Sequence, residues 1–389
     1  MTLDGITEPA VDLCLHKRIP FVVYALPGES ECHFYASLAD ARGRSQAFSD
    51  EGKDCFFINF FDNDEPYTAG VRFDMSAREL LDYVDRNLIE QPATDIRPRV
   101  SPTLRASYHD AFSRVIPRLK SDGGKVVLSR HRSVITYRFP QDVARDYFSM
   151  TDSTFRYLCY TPETGVWLGS TPELLLESDG GGKTVSTMAL AGTRWSDDDS
   201  PWDTKNIYEQ SIVTDFIAEA LKSEGLDVEV GELCERRFLN IKHLCNIIKA
   251  HGVTDVPELM ARLSPTPAVA GFPRDTAIDE INAYETHRRN CYGGYVGVRT
   301  GGDYHAYVNL RCCFMAPVAY CEEFFGWLCN LYAGGGIVAA SIEEEEWQET
   351  EAKTQALAGI LLGKEGACGY EGPKLNPGNV EFLEVPLSY

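Results

Sequence analysis

The sequence predicts an α+β fold built on antiparallel sheets. Strand-like and helix-like segments come in blocks, without the regular β–α–β alternation of a doubly wound fold. Short β-rich runs crowd the chain up to about Asn87. Further on, alternating apolar runs follow one another across short turns. The chain has 389 residues, room for two ordinary domains or one large one.

The N-terminal region, 1–100, contains PFVVYAL, CFFINFF and GVRF, each bounded by Gly, Pro or Asp as strands are. QPATDIRPRVSPT (Gln91 to Thr103) carries three prolines and reads as a connection within one fold. A helix is expected from Leu104 to Lys120, stopped by SDGG, and then a strand in KVVLSRHRSVITYRF. FRYLCYTPETGVWLGSTPELLLES reads as two strands around TPETG, and KTVSTMALAGTRW as another. In SPWDTKNIYEQSIVTDFIAEALKSEG a helix is expected with Ser200 as N-cap, Pro201 at its first position and Asp203 at capping-box spacing. GGYVGVRT, HAYVNLRCCF and WLCNLYAGGGIVAA form an antiparallel set. A last helix opens with a capping box at Ser341 and runs to about Leu362, closing a main region of 101–365 ahead of a tail at 366–389.

The formal net charge is −21, from 37 Lys+Arg against 58 Asp+Glu. Such a field repels nucleic-acid phosphates and anionic membranes, and sets both aside as partners. An anionic substrate then needs a local cationic site. No run of about 18 apolar residues occurs, and MTLDGITEPAVDL lacks the basic and apolar regions of a signal peptide. A cytoplasmic protein is expected. The twelve cysteines form no C-x-x-C pair and read as buried free thiols.

The last helix carries the most informative local pattern. Ile342, Glu346, Glu349, Lys353, Leu357 and Ile360 share one helical face, so two carboxylates and a lysine interrupt an apolar stripe. This is either a solvated face with an i,i+4 pair worth about 0.3–0.5 kcal/mol, or a buried acidic site that needs a hard cation such as Mg²⁺. Before it, YAGGGIVAAS sets three glycines after a strand, as a tight turn or as backbone N–H groups open to an anion. Glu209 lies at the edge of the other helix's stripe and on its own reads as a surface residue. Glu173, among apolar neighbours, is a strand-end carboxylate or a general acid raised by burial. Lys125, after two glycines, is a solvated turn residue or a desolvated base. His243 in IKHLC has no metal-ligand spacing and reads as a core histidine. Arg311 alternates with Val308 and Leu310 on an expected strand and, if inward, must pair with an anion. No G-x-S-x-G, H-E-x-x-H, Rossmann or Cys–His signature is present.

In this order, KVVLSR, LGSTPELLL, ALAGTR, the Glu209 helix, KHL, LSPTPAVAGFPRDTAIDEI, YGGYVG, LYAGGGIVAAS and EEEWQETEAK resemble the chorismate-utilising enzymes. That family includes isochorismate, salicylate, anthranilate and aminodeoxychorismate synthases. The resemblance runs from about Ser107 to Leu362. It implies two antiparallel sheets packed face to face, with helices outside and the site between the sheets. It implies Glu209 and Glu349 as direct Mg²⁺ ligands, with Glu346 acting through water, and the metal holding the ring carboxylate of chorismate. Ala191, Gly192, Thr193, His243, Tyr292, Arg311, Gly334, Gly336 and Lys353 fall at substrate-binding positions, with Arg311, Tyr292 and the backbone of Gly334 and Gly336 on the enolpyruvyl carboxylate.

Lys125 matches the lysine that activates water, where ammonia-using relatives carry glutamine, and Ala191 stands where others place a nucleophilic lysine. The resemblance therefore implies isochorismate formation, with Glu173 protonating the leaving C4 hydroxyl. A salicylate synthase, which goes on to eliminate pyruvate, is the alternative within the family, and a degenerate scaffold the alternative outside it. No glutaminase subunit is expected. A monomer or a homodimer, and a menaquinone, siderophore or salicylate pathway, stay open. Three departures stand out: the long segment CCFMAPVAYCEEFFGWLCN, Gly335 where relatives often carry alanine, and Asn206 where some carry a second acid.

Overall fold

The computed structural model describes residues 5–38, 53–61, 68–87, 101–181, 183–320, 324–366 and 380–382. In chain order the first elements are α1 (Thr7–Lys17), β1 (Phe21–Ala25), β2 (His33–Ala36), β3 (Cys55–Asn59), β4 (Thr68–Arg72), α2 (Ala77–Val84) and α3 (Arg105–Asp122). Next come β5 (Lys125–Thr136), α4 (Pro140–Phe148), β6 (Phe155–Thr161), β7 (Gly165–Thr171), β8 (Leu174–Ser178) and β9 (Thr184–Trp195). They are followed by α5 (Thr204–Ser223), β10 (Asp227–Val230), β11 (Cys234–Phe238), β12 (Ile241–His251), α6 (Val256–Leu263), β13 (Gly271–Phe272) and α7 (Arg274–Tyr284). The chain ends with β14 (Tyr295–Thr300), β15 (Asp303–Val308), β16 (Cys312–Tyr320), β17 (Phe324–Ile337), α8 (Glu343–Gly366) and β18 (Val380–Phe382).

The strands form two antiparallel sheets. The first runs β13-β5-β17-β16-β7-β6-β1-β2, and the second β10-β12-β9-β8-β15-β14-β3-β4; β18 adds to β16 and β11 to β12. The N-terminal strands extend one end of each sheet. The inner faces pack on each other through large rings: Phe155, Tyr157 and Trp167 from the first sheet meet Phe56, Val296 and Tyr307 from the second. Phe155 lies flat on Tyr307, with ring centroids 4.7 Å apart. Residues two apart on a strand share a face, so one sheet can place one set inward here and the alternate set under helices. On the outer face of the first sheet, Val143, Tyr147, Leu357 and Leu361 of α4 and α8 cover β5, β16 and β17, while α1 and α2 cover its other end. Against the second sheet, Val213, Ile217 and Leu221 of α5 pack with Leu259 and Met260 of α6. The two-sheet architecture expected from the resemblance is the one observed.

Several local expectations are corrected. The α5 cap is Asp203, whose carboxylate accepts the Asn206 N–H, so Ser200 and Pro201 precede the helix. Ser341 makes no capping box; its hydroxyl accepts from Val338 N–H and donates to Glu346. LGSTPELLLES divides at Pro172, with β7 in one sheet and β8 in the other. HAYVNLRCCF divides likewise at Asn309–Arg311, so Arg311 sits in a crossover between sheets, with φ of 50°, and not on a strand. The long segment after it forms the β16–β17 hairpin, its turn outside the described residues. Among the described cysteines, Cys234 is exposed and Cys32 half-buried, so not every thiol is in the core. Most of the proline-rich connection and most of the tail also lie outside the described residues.

Candidate active site

The crossover at Arg311, the glycine run of β17 and the facing helices α5 and α8 enclose one cavity between the sheets. It is lined by Glu173, the Ala191–Thr193 stretch, Glu209, His243, Tyr292, Arg311, Gly334, Gly336 and Lys353. It holds about 590 Å³ of atom-free space, its mouth included. Lys125 and Glu346 abut it through Glu209 and Gly335. Residues as far apart in sequence as Lys125 and Lys353 thus converge on one site.

The three glycines lie within β17 and not in a turn after it; Gly334, Gly335 and Gly336 pair with Ser129, Leu128 and Val127. Among the described residues only β5 flanks them, because β16 pairs no further along β17 than Leu331, and the Gly334 carbonyl accepts from Lys353 instead. Glycine is needed because side chains crowd the strand. A Cβ on Gly336 would stand 2.1 Å from Glu209 Oε1 and 2.7 Å from Lys125 Cε, and one on Gly335 2.9 Å from Glu346 Oε2. Gly336→Ala must therefore push Glu209 off Lys125, at a cost of about 1–3 kcal/mol. Gly359 meets nothing within 4 Å on the exposed side of α8, so Gly359→Ala should stabilise by about 0.5–1 kcal/mol. Denaturant melts of the two variants check the contrast; a Gly336→Ala protein as stable as wild type contradicts the crowding.

Three carboxylates and three lysines meet beside β17. Lys125 Nζ lies 2.8 Å from Glu209 Oε1, Lys205 Nζ 2.6 Å from Glu346 Oε1, and Lys353 Nζ 2.5 Å from Glu349 Oε1. Lys125 is fully buried, and Glu209 is far from the surface residue its position suggested. Lys353 also donates to the Gly334 carbonyl. Burial, then the charges of Glu349 and Glu209, push the Glu346 carboxyl up, only partly offset by Lys205. Burial also acts to raise Glu349, but Lys353 first, and then Lys205 and His243, hold it below the usual range. The Glu346 Oε2 atom is buried without a hydrogen bond among the described residues. Among the described residues no three acidic groups stand arranged as metal ligands, and each of these carboxylates is engaged by a lysine. The unsatisfied Glu346 Oε2 is the hard oxygen donor that fits a divalent cation such as Mg²⁺.

Arg311 is buried and has no carboxylate within 4 Å among the described residues. It donates to His243 Nε2 at 3.2 Å and packs its guanidinium on Phe238. A guanidinium only donates, so His243 Nε2 is the acceptor and its Nδ1–H donates to the Gly192 carbonyl at 3.1 Å. Burial, then Arg311 and Lys353, lower His243 to about 3, which keeps it neutral. The histidine is a buried brace that aims Arg311. A buried guanidinium facing a cavity is an anion receptor. Tyr292 stacks on Tyr332 behind it. Gly192 has φ of 66°, and its turn is tied to α5 by Asn206 Oδ1, which accepts the Thr193 N–H.

Glu173 lines the same cavity, 2% exposed, and its Oε1 makes no hydrogen bond among the described residues. Burial raises it to about 8, although Lys125, Lys353 and Arg311 pull the other way. At neutral pH it is a protonated acid inside the cavity. A buried amine, Lys125, and a buried carboxyl, Glu173, are thus both brought to this site.

All the sequence candidates border this cavity or the carboxylate cluster against it. Sequence reasoning passed over Tyr332, Val127 and Leu310, which line the cavity, and Lys205. Lys205 could have been found, since it precedes Glu209 by four residues on one helical face.

A buried guanidinium, a buried amine and a raised carboxyl around one cavity between two antiparallel sheets make a site for a small anionic molecule. Residues 74–362 match the family model described as chorismate binding enzyme. The chain belongs to the chorismate-binding enzyme family. Isochorismate synthase DhbC of Bacillus subtilis is 36% identical over 49% of this chain and 49% of its own length. Isochorismate synthase MenF of Pasteurella multocida is 31% identical over 53% of this chain and 49% of its own. The chain thus spans about half the length of these curated relatives. The solved structure of MenF, the menaquinone-specific isochorismate synthase of Escherichia coli, shares the fold with a TM-score of 0.70 at 21% identity, covering 93% of this chain and 92% of that one.

Among the described residues no helix is long and apolar enough to cross a membrane.

Proposed function

We propose that the protein is a Mg²⁺-dependent isochorismate synthase, an isomerase that moves the chorismate hydroxyl from C4 to C2. The observation that carries the reading is a cavity that holds a protonated Glu173 and presents Arg311 to an anion, with the buried Lys125 set against its wall through Glu209. The relatives named above as isochorismate synthases support it.

Arg311, aimed by His243, binds the enolpyruvyl carboxylate beside Tyr292. Glu209, Glu349 and, through water, Glu346 would hold the Mg²⁺. Bound there, Mg²⁺ would supply the positive charge that anchors the ring carboxylate and offsets the acidic cluster. Lys125 takes a proton from water as the water oxygen bonds to C2. The ring double bonds shift, the C4–O bond breaks, and Glu173 gives its proton to the departing hydroxyl. One water enters and one leaves, so the product is an isomer of the substrate. Ala191 puts only a methyl group where an amine nucleophile would be needed.

Product chromatography of the protein with chorismate and Mg²⁺, without ammonia, tests the reading. Isochorismate is expected. Salicylate with pyruvate would make the protein a salicylate synthase, and no product would point to a scaffold. Glu349→Gln should raise the Mg²⁺ concentration for half-maximal rate by about tenfold or more, and an unchanged titration would remove Glu349 from the ligand set.

A further inference from the structure

Lys205 has no part in the chemistry above, yet it stands against the acidic cluster. It lies on α5 one turn before Glu209 and reaches across to α8, where Nζ is 2.6 Å from Glu346 Oε1. The same oxygen accepts the Ser341 hydroxyl at 2.7 Å. Glu346 Oε1 is therefore fully engaged, while Oε2, on a side chain 1% exposed, has no partner among the described residues. Next to Lys205 stands Asn206, an amide that makes no charge of its own and instead ties α5 to Thr193.

We propose that Lys205 is a built-in counter-ion that competes with Mg²⁺ for the acidic cluster and so sets how tightly the metal binds in the absence of substrate. This rests on the reading that Glu209, Glu346 and Glu349 hold the metal. Counted as formal charges, the three carboxylates contribute −3 and Lys125, Lys205 and Lys353 +3, so the resting cluster is balanced without a cation. A neutral cluster folds without metal. A divalent cation entering it must break the Lys205–Glu346 pair or sit beside its positive charge, and either weakens binding. Removing the charge of Lys205 leaves the cluster at −1, which attracts the metal and makes the fold lean on it.

The test needs no turnover. Mg²⁺ binding is measured by calorimetry without substrate for wild type, Lys205→Met, Lys205→Gln and Lys205→Arg, and thermal unfolding is followed in EDTA and in Mg²⁺. The Met and Gln variants should bind Mg²⁺ at least about tenfold more tightly. They should also melt lower than wild type in EDTA, with Mg²⁺ closing the gap. The Arg variant keeps the charge and should behave as wild type. A lysine that merely joined two helices would give weaker metal binding on removal, never tighter. Unchanged or weaker binding in both neutral variants overturns the role of Lys205 alone. Absence of Mg²⁺ binding in wild type and variants alike overturns the metal site itself.

Discussion

Lys125→Ala should lower isochorismate formation by about 10²–10⁴-fold, the usual worth of a positioned base. The lysine is fully buried at the start of β5, with Glu209 as its ion-pair partner and Gly336 leaving it room. No other amine occupies its place: Lys353 is bound to Glu349 and the Gly334 carbonyl, and Lys205 to Glu346. The substitution strands the Glu209 carboxylate, so melts in Mg²⁺ must accompany the kinetics. The alanine also leaves a hole of the shape of a small primary amine. Added ethylamine should restore part of the rate if the lost function is proton transfer, and none if it is packing. Near-wild-type turnover in Lys125→Ala would end the assignment of this residue as the base.

Glu173→Gln should cost a similar about 10²–10⁴-fold. The amide copies the shape of the protonated carboxyl but has no proton to give as the C4 hydroxyl leaves. Because burial raises Glu173 to about 8, the native carboxyl is mostly protonated at pH 7. Exchange for glutamine should therefore leave the melting temperature nearly unchanged. The sign of the pH effect follows. The acid form exists below about 8 and is lost above it, so the wild-type rate should fall as pH rises through that value. The residual rate of Glu173→Gln should lack this falling limb. A variant that keeps both wild-type turnover and the limb would show that another group donates the proton.

Much of the architecture was legible because it depends on local pattern. Alternation marked β5, β-rich runs marked β9 and β14, the SDGG stop marked the end of α3, and helical period marked α5. The two caps failed locally, but the larger failures share one cause, namely that contacts distant in sequence decide the outcome. HAYVNLRCCF reads as one strand because nothing local shows that the partner sheet changes after Val308; only the ladders to β8 and β7 show it. The glycine run reads as a turn because glycine permits turns, whereas here it makes space for Glu209 and Glu346 on helices far along the chain. Short helices such as α1 and α4 carry few turns of periodic signal and owe their stability to packing on the first sheet. For the site, the residues alone left Glu209, Lys125 and Glu173 with ordinary readings. Their convergence came from the ordered resemblance and is visible in the burial of all three.

The most direct test of the central claim is a mass measurement on the product. The protein is incubated with chorismate and Mg²⁺ in heavy-oxygen-labelled water, and the products are separated and weighed, with an EDTA control. If solvent water adds at C2 while the C4 hydroxyl departs, isochorismate carries one heavy oxygen and vanishes in EDTA. Isochorismate without the label, or formed equally in EDTA, would contradict the account.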